Sequence, residues 1–463
     1  MLDNNNQGCP GIPNRLVIEG VSPIQATEEV VDIVSRLIQF DTSNTGVPET
    51  TVGEADCARW VQEQLAEVGY ATEYVESGMP GRANVFARLE GADRQRGALL
   101  IHAHLDVVPA RAEDWSVHPF SGAIRDGYIW GRGAIDMKDM AGMALALARQ
   151  FKRDGTVPPR DIVFAFLADE EAGGALGSQW LVKNRPELFD GISEAVGEVG
   201  GFSLTVDRPD GTVRRLYLVE TAEKGLAWMK LTCNATAGHG SFLHSDNAVT
   251  EIAAAVARIG AHRFPLVMTE SVSEFLKALS EETGLDFSPE TPDLESALFK
   301  IGNLARIVGA TLRDTANPTM LSAGYKANVI PQQAEAVIDC RVLPGRQKEF
   351  EATIDELIGP NITREWITHL DAYETTFDGH LVDAMNDAVV AHDADGRTVP
   401  YMLSGGTDAK AFAKLGIRCF GFAPLQLPPE LDFAALFHGV DERVPVESIL
   451  FGTKVLEHFL HHC

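Results

Sequence analysis

The sequence predicts an α/β fold with a second, smaller two-layer unit inserted into it. Three observations predict this. Apolar strand-like runs alternate with amphipathic helical stretches from residue 27 to about 220, the pattern of helices laid on a sheet. Composition shifts after Glu220, and the segments that follow read strand, helix, strand, strand, helix, strand, a βαββαβ unit. From about residue 372 the chain returns to α/β character. The division is therefore a flexible N-terminal arm at 1–25, a main domain at 26–223 and 372–463, and an inserted domain at 224–371.

Residues 1–25 are polar and carry Pro10, Pro13 and Pro23, as a loosely ordered arm would. Thr27 is placed as a helix cap, with Glu28 and Glu29 in the positive first turn and Val30, Ile33, Val34, Leu37 and Ile38 along one face. A second amphipathic helix carries Ala58, Val61, Leu65 and Val68 and stops at Gly69. Strands follow at 71–75 and 84–89. The apolar run 98–101 then ends in His102-Ala103-His104-Leu105-Asp106. It reads as a buried strand that delivers an imidazole to its C-terminal edge, where open α/β sheets bind ligands. After a loop rich in aromatics and glycine at 115–133, a helix is placed at about 137–151, and the strand 161–168 ends at Asp169-Glu170-Glu171.

In the insert, strands are placed at 226–235, 305–314, 334–343 and 362–368, and helices at 247–259 and 346–357. Residues 264–304 exceed that plan and read as a helical excursion. Beyond the insert come a helix at 381–391, the loop Gly405-Gly406-Thr407-Asp408, a short strand near 419–422 and a last helix from Pro445. There are no repeats or low-complexity segments.

Composition bounds the function. At 463 residues the chain has room for two or three domains with large cores. A hydrophobic content of 45% and a mean hydropathy of −0.04 describe an ordinary globular protein. A net charge of −27 argues against nucleic acid or an anionic membrane surface as partner. The six cysteines are scattered without CxxC spacing and read as reduced thiols. No run approaches the roughly 18 apolar residues of a membrane span, and the first residues lack a basic n-region and an apolar h-region. A cytoplasmic location is expected.

His104 and Asp106 lie two apart, so in an extended segment they face one side, and the carboxylate can hold a metal-binding ring. Alone this is weak, since a strand-end histidine is more often a structural residue. The rest of the chain supplies the echo: Asp136 in Gly131-Arg132-Gly133-Ala134-Ile135-Asp136-Met137-Lys138, then Glu170, Glu171, Glu198 and His438. An Asp-Glu-Glu run is usually a solvated turn, but this one ends the most apolar strand of the chain. Glu198 has Glu194 close by as a rival, and His438 can also be read as a helix-end residue. His102, His118 and His244 are left as structural or surface residues. The Gly131–Gly133 stretch lacks the Lys-Ser/Thr of a phosphate loop, which argues against nucleotide binding there.

These motifs, in this order from about residue 27 onward, resemble the family of two-zinc amide hydrolases. That family includes aminoacylases, glutamate carboxypeptidases, acetylornithine deacetylase and succinyl-diaminopimelate desuccinylase. The resemblance implies a catalytic domain with a mixed central sheet flanked by helices, and a ferredoxin-like lid and dimerisation insert. It implies two divalent ions, zinc first and cobalt or manganese as alternatives. His104 and Glu198 resemble ligands of one metal, Glu171 and His438 ligands of the other, and Asp136 the carboxylate that bridges them. Asp106 resembles the residue that orients His104, and Glu170 the general base. His239, in Gly238-His239-Gly240-Ser241, resembles a histidine that reaches the partner subunit's site to stabilise the oxyanion. Asn328 and Arg341 resemble residues that hold the substrate carboxylate, and Gly406 one whose backbone meets the substrate.

The chemistry agrees with these roles. A hydrolytic zinc takes nitrogen and oxygen ligands and leaves a position open, and water there, its pKa lowered toward about 7, is a nucleophile at neutral pH. In an extended strand end, adjacent Glu170 and Glu171 face opposite sides and can take different work, one on water and one on metal. Ala103 stands where many members carry Gly before the histidine, which is more similar to the carboxypeptidase S and N-fatty-acyl-amino-acid hydrolase branch. The expected reaction is hydrolysis of a peptide or N-acyl amino acid next to a free carboxylate. The alternatives are a biosynthetic deacylase of the acetylornithine or succinyl-diaminopimelate type, and an inactive peptide-binding dimeric scaffold.

Overall fold

The computed structural model describes residues 24–291, 294–298 and 308–463. Its central sheet has ten strands and is mixed. Three neighbours in it run parallel, Ile162–Leu167, Ala98–His104 and Ile192–Gly197, with Ala98–His104 in the middle. Every residue of the first two is buried, which is why they read as continuous apolar runs rather than alternating ones. Ala83–Leu89 and then Thr72–Glu76 extend the sheet antiparallel on one side. On the other side Arg418–Gly421 continues it, followed by Val213–Glu223, which also pairs with Gly396–Leu403 and Ser203–Asp207.

The helix Lys138–Asp154 is buried from Lys138 through Phe151 and packs on Ala26–Ile38 and Val446–His462. Gly142 makes the first contact close: a Cβ there would stand 2.3 Å from Val34 Cγ2. The first helix begins two residues earlier than the sequence suggests. Gln25, not Thr27, occupies the cap, because Glu28 Oε2 reaches back to accept the Gln25 amide at 2.8 Å.

The second sheet lies wholly between residues 225 and 370, in the order Thr315–Ala323, Gln333–Val342, Gly225–Asn234, Ile362–Leu370, all antiparallel. Helices Ala248–Ala261 and Gln347–Ile358 pack on it, so the chain order is the βαββαβ of the sequence reading. Burial alternates along Gln333–Val342: Ala334, Ala336, Ile338, Cys340 and Val342 point to that core. The strand expected at 305–314 is displaced. Residues 305–307 lie outside the described residues, Val308 accepts the Thr311 amide in a turn, and Asp314 accepts the Leu343 amide, so pairing starts only at Thr315. The excursion contains helices Glu270–Thr283 and Leu294–Leu298; its residues 292–293 and 299–304, and residues 1–23 of the arm, also lie outside the described residues. Among the described residues no helix is long and apolar enough to cross a membrane.

Candidate metal centre and substrate cleft

The three parallel strands deliver their acids and imidazole to one edge. His104 ends its strand opposite Leu167, Glu170 and Glu171 follow Leu167 closely, and Glu198 follows Gly197. Asp136 comes from the loop before Lys138–Asp154, and His438 from the loop before the short strand Arg443–Pro445. That strand pairs with Tyr128–Trp130 and so brings the two loops together. Buried Glu442 secures the junction by accepting the Ile135 amide at 2.9 Å, and Arg132 donates to Glu442 and to the His438 carbonyl.

Asp136 divides its oxygens. Its Oδ1 lies 3.2 Å from His104 Nε2, which is also 3.4 Å from Glu198 Oε2. Its Oδ2 lies 3.1 Å from His438 Nε2, which is also 3.2 Å from Glu171 Oε2. Ligand-type atoms of His104, Asp136 and Glu171 fall within 4.8 Å of one another, as do those of His104, Glu170 and Glu198.

The structure adds to one sequence expectation and changes another. His104 Nδ1 bonds the main-chain oxygen of Asp106 at 2.9 Å, while the nearer Asp106 carboxylate oxygen stands 3.5 Å away. That carboxylate accepts the amides of Glu170 and Glu171, each at 3.1 Å, and the Asn44 side chain at 2.8 Å, so it shapes the acidic turn. Nor is the turn extended: Asp169 is left-handed at φ 68° and Glu170–Ala172 form a 3₁₀ turn. This turn, rather than strand alternation, separates the two glutamates.

Crowded acids and imidazoles perturb one another. Burial opposes a charge on His104, but Glu198, Asp106 and Asp136 raise its pKa well above the usual imidazole range. Hydrogen bonds to Asp136 and Glu171 raise His438 to about 10. Burial raises Asp136, but His104 and His438 more than offset it and hold the carboxyl below its usual range. Burial pushes Glu198 up to about 8, and burial with Glu198 beside it pushes Glu170 well up. A set with more carboxylates than imidazoles, all oxygen and nitrogen donors around one divided carboxylate, fits two divalent cations.

The family profile described as "Peptidase family M20/M25/M40" matches residues 100–462. The chain belongs to this family. It is therefore an enzyme that hydrolyses amide bonds. It is 27% identical over 440 residues to "N-fatty-acyl-amino acid synthase/hydrolase PM20D1" of Xenopus tropicalis, covering 91% of this chain and 83% of that one. Aminoacylase-1 of Sus scrofa is 27% identical over 439 residues, with 92% and 94% covered. Among solved structures, the M20 family metallo-carboxypeptidase Sso-CP2 from Sulfolobus solfataricus superposes with a TM-score of 0.69 at 17% identity, covering 94% of this chain and 99% of that one.

In this M20 member a cleft of about 1080 Å³ is lined by Asp136, Glu170, Glu171, Glu198 and His438, and also by Arg341 and Gly406. His239 and Asn328 are not among its lining residues. They are exposed at the small ribbon that pairs Gly238–His239 with Val329–Ile330. His239 Nδ1 lies 2.7 Å from Ser241 Oγ, and His244 contacts the His239 carbonyl at 3.1 Å. His102 is buried, its pKa pushed down to about 3 by burial and by His104, and its ring packs against Phe412. It packs in the core and is not among the residues lining the cleft.

Several site residues escaped the sequence reading. Asn44 joins Asp106 to Asp169 with bonds of 2.8 and 2.9 Å, and Arg82 ties Asp169 to buried Glu54. Asp408 is buried against the turn at Gly174 and lines the cleft. The Gly405–Asp408 loop hinted at Asp408; for Asn44 and Arg82 only burial of a polar group in three dimensions gives a signal.

Proposed function

We propose that the chain is a di-metal hydrolase of small peptides or N-acyl amino acids, cutting the amide next to a free carboxylate. The observation that carries this reading is the division of Asp136 between His104 and His438, each with a further carboxylate beside it. His104, Asp136 and Glu198 would hold one cation, and His438, Asp136 and Glu171 the other, with zinc as the first choice and cobalt or manganese as alternatives. When bound, the cations supply Lewis-acid activation of water and of the scissile carbonyl.

The chain's own groups do the rest. Glu170 takes the proton of the attacking water and hands it to the leaving nitrogen. Asp106 and Asn44 fix the turn that carries Glu170. Arg341, which lines the cleft, holds the substrate carboxylate, and Gly406 lets backbone approach the substrate closely. The exposed edge strand Thr315–Ala323, with Met320 and Leu321 uncovered, and the exposed Phe242, Leu243 and Tyr325 support a homodimer through the insert. In such a dimer His239 and Asn328 would serve the partner's cleft.

The cleft lining includes an apolar group: Phe202, Leu204, Leu427, Leu431, Phe433 and Phe437. Together with the name of the Xenopus relative, this supports an apolar acyl group or side chain, and it disfavours the charged substrates of a biosynthetic deacylase. The complete donor set disfavours an inactive scaffold. The five described cysteines are free and buried, which supports a reducing compartment, the cytoplasm. The test is chelation, then reloading with zinc, cobalt or manganese, assayed on a panel of dipeptides and N-acyl amino acids. Loss and recovery of hydrolysis are expected; full activity at zero divalent metal would refute the reading.

A further inference from the structure

The sheet of the insert turns one face toward the cleft, and the neighbours of Arg341 on that face have no role yet. Asp339 and Arg341 lie two apart on the strand Gln333–Val342, so both project from the face opposite the buried Ile338 and Cys340. Trp228, on the adjacent strand Gly225–Asn234, projects from the same side and lines the cleft with Arg341. Arg341 donates from Nε to Asp339 Oδ1 at 2.7 Å and from Nη2 to Oδ2 at 3.2 Å. Trp228 Nε1 donates to the same Oδ1 at 2.9 Å, and the Trp228 ring lies 5.8 Å from the guanidinium carbon.

We propose that Asp339 is a positioning residue that aims Arg341 at the substrate carboxylate. The proposal rests on Arg341 being the carboxylate-holding residue. A guanidinium has two forks, one side-on (Nε, Nη2) and one end-on (Nη1, Nη2). Asp339 takes the side-on fork, and among the described residues no hydrogen bond engages Nη1. The end-on fork therefore stays open for a second carboxylate. Asp339 cannot leave with solvent, being on the same strand and held by Trp228. The Arg341 side chain is thus ordered before substrate arrives, and the rotamer entropy of a long side chain is not lost on binding. The opposite reading treats Asp339 as a competitor that neutralises Arg341 and repels the substrate.

The two readings separate by experiment on the metal-loaded chain. Asp339→Ala is assayed on an N-acyl amino acid and on the same compound with its carboxylate capped as an amide, in wild-type and Arg341→Ala backgrounds. Both side chains are partly exposed, at 31% and 25%, so the fold should tolerate the changes. The expected result is about a tenfold rise in KM for the free acid with kcat little changed, no effect on the capped compound, and no added loss in Arg341→Ala. Trp228→Phe, which keeps an aromatic ring there and removes the Nε1 donor, should give a smaller rise of the same kind. A lower KM in Asp339→Ala, or an equal loss in the Arg341→Ala background, would overturn the proposal. If Arg341→Ala itself fails to distinguish acid from capped compound, the assignment of Arg341 falls, and this inference with it.

Discussion

Glu170 and Glu171 adjoin in sequence yet meet different surroundings. Glu171 faces His438 at 3.2 Å and accepts the Val108 amide at 3.2 Å, whereas Glu170 groups with His104 and Glu198. Glu170→Gln should therefore retain both metals while kcat falls on the order of a hundredfold. Glu171→Gln should lower metal occupancy instead; metal analysis beside kinetics checks both, and the reverse pattern exchanges the two roles. Arg341→Ala should cost about 2–5 kcal/mol of transition-state stabilisation. Capping the substrate carboxylate should cost about as much in wild type and little more in the variant. His438 adds a pH dependence. Its hydrogen bonds to Asp136 and Glu171 raise its pKa to about 10, so in the metal-free protein it holds a proton at neutral pH. A cation must displace that proton, so binding should release protons and tighten as pH rises from roughly 6 to 9. Calorimetric heats that do not vary with buffer ionisation would contradict this.

At the scale of elements, the site depends on how closely strands approach. A Cβ on Gly421 would lie 2.2 Å from the Glu198 carbonyl oxygen and 2.6 Å from Glu220 Cβ. Gly421 pairs with Gly197 on one side and Glu220 on the other, so neither neighbour can withdraw without moving the strand that ends at Glu198. Gly421→Ala should destabilise the protein by about 1–3 kcal/mol, the usual range for overpacking, and should loosen the metal held by Glu198 more than the other. Thermal melts with metal analysis check this. Two firmly held metals in a destabilised variant would show that Glu198 is positioned by something other than this packing.

At the scale of the whole molecule, the position of His239 bears on how subunits share a site. It is exposed on the insert and is not among the residues lining its own chain's cleft. The reading as a two-fold dimer through the Thr315–Ala323 edge assigns it to the partner's cleft. His239→Ala should then be nearly inactive with metals retained, as expected for loss of one oxyanion donor, about 2.7–4 kcal/mol. Mixed with Glu170→Gln under conditions that exchange subunits, it should regain activity, because each hybrid dimer has one site with both groups intact. Half the dimers are hybrid and each has one good site, so recovery should reach at most about a quarter of wild type. Confirmed exchange without recovery, or full activity as a monomer, would exclude a shared site.

The sequence by itself determined the α/β class, the βαββαβ insert, and the residues that gather at the cleft: His104, Asp136, Glu170, Glu171, Glu198 and His438. Their signals are local, since buried parallel strands read as apolar runs and their acids and imidazole follow directly at the strand ends. Only the tertiary structure decided how those residues work together. The left-handed Asp169, the Asp106 carboxylate under the acidic turn and the Asn44–Arg82 network all depend on partners far away in the chain. The strand Thr315–Ala323 escaped for a related reason: it is an exposed edge, Thr-Ala-Asn-Pro-Thr at its start, and carries no alternation to read. The division of Asp136 between two histidines arises where two loops meet through the pairing of Arg443–Pro445 with Tyr128–Trp130. Such long-range pairing leaves no periodic mark in the sequence, because no single stretch of chain contains both sides of it.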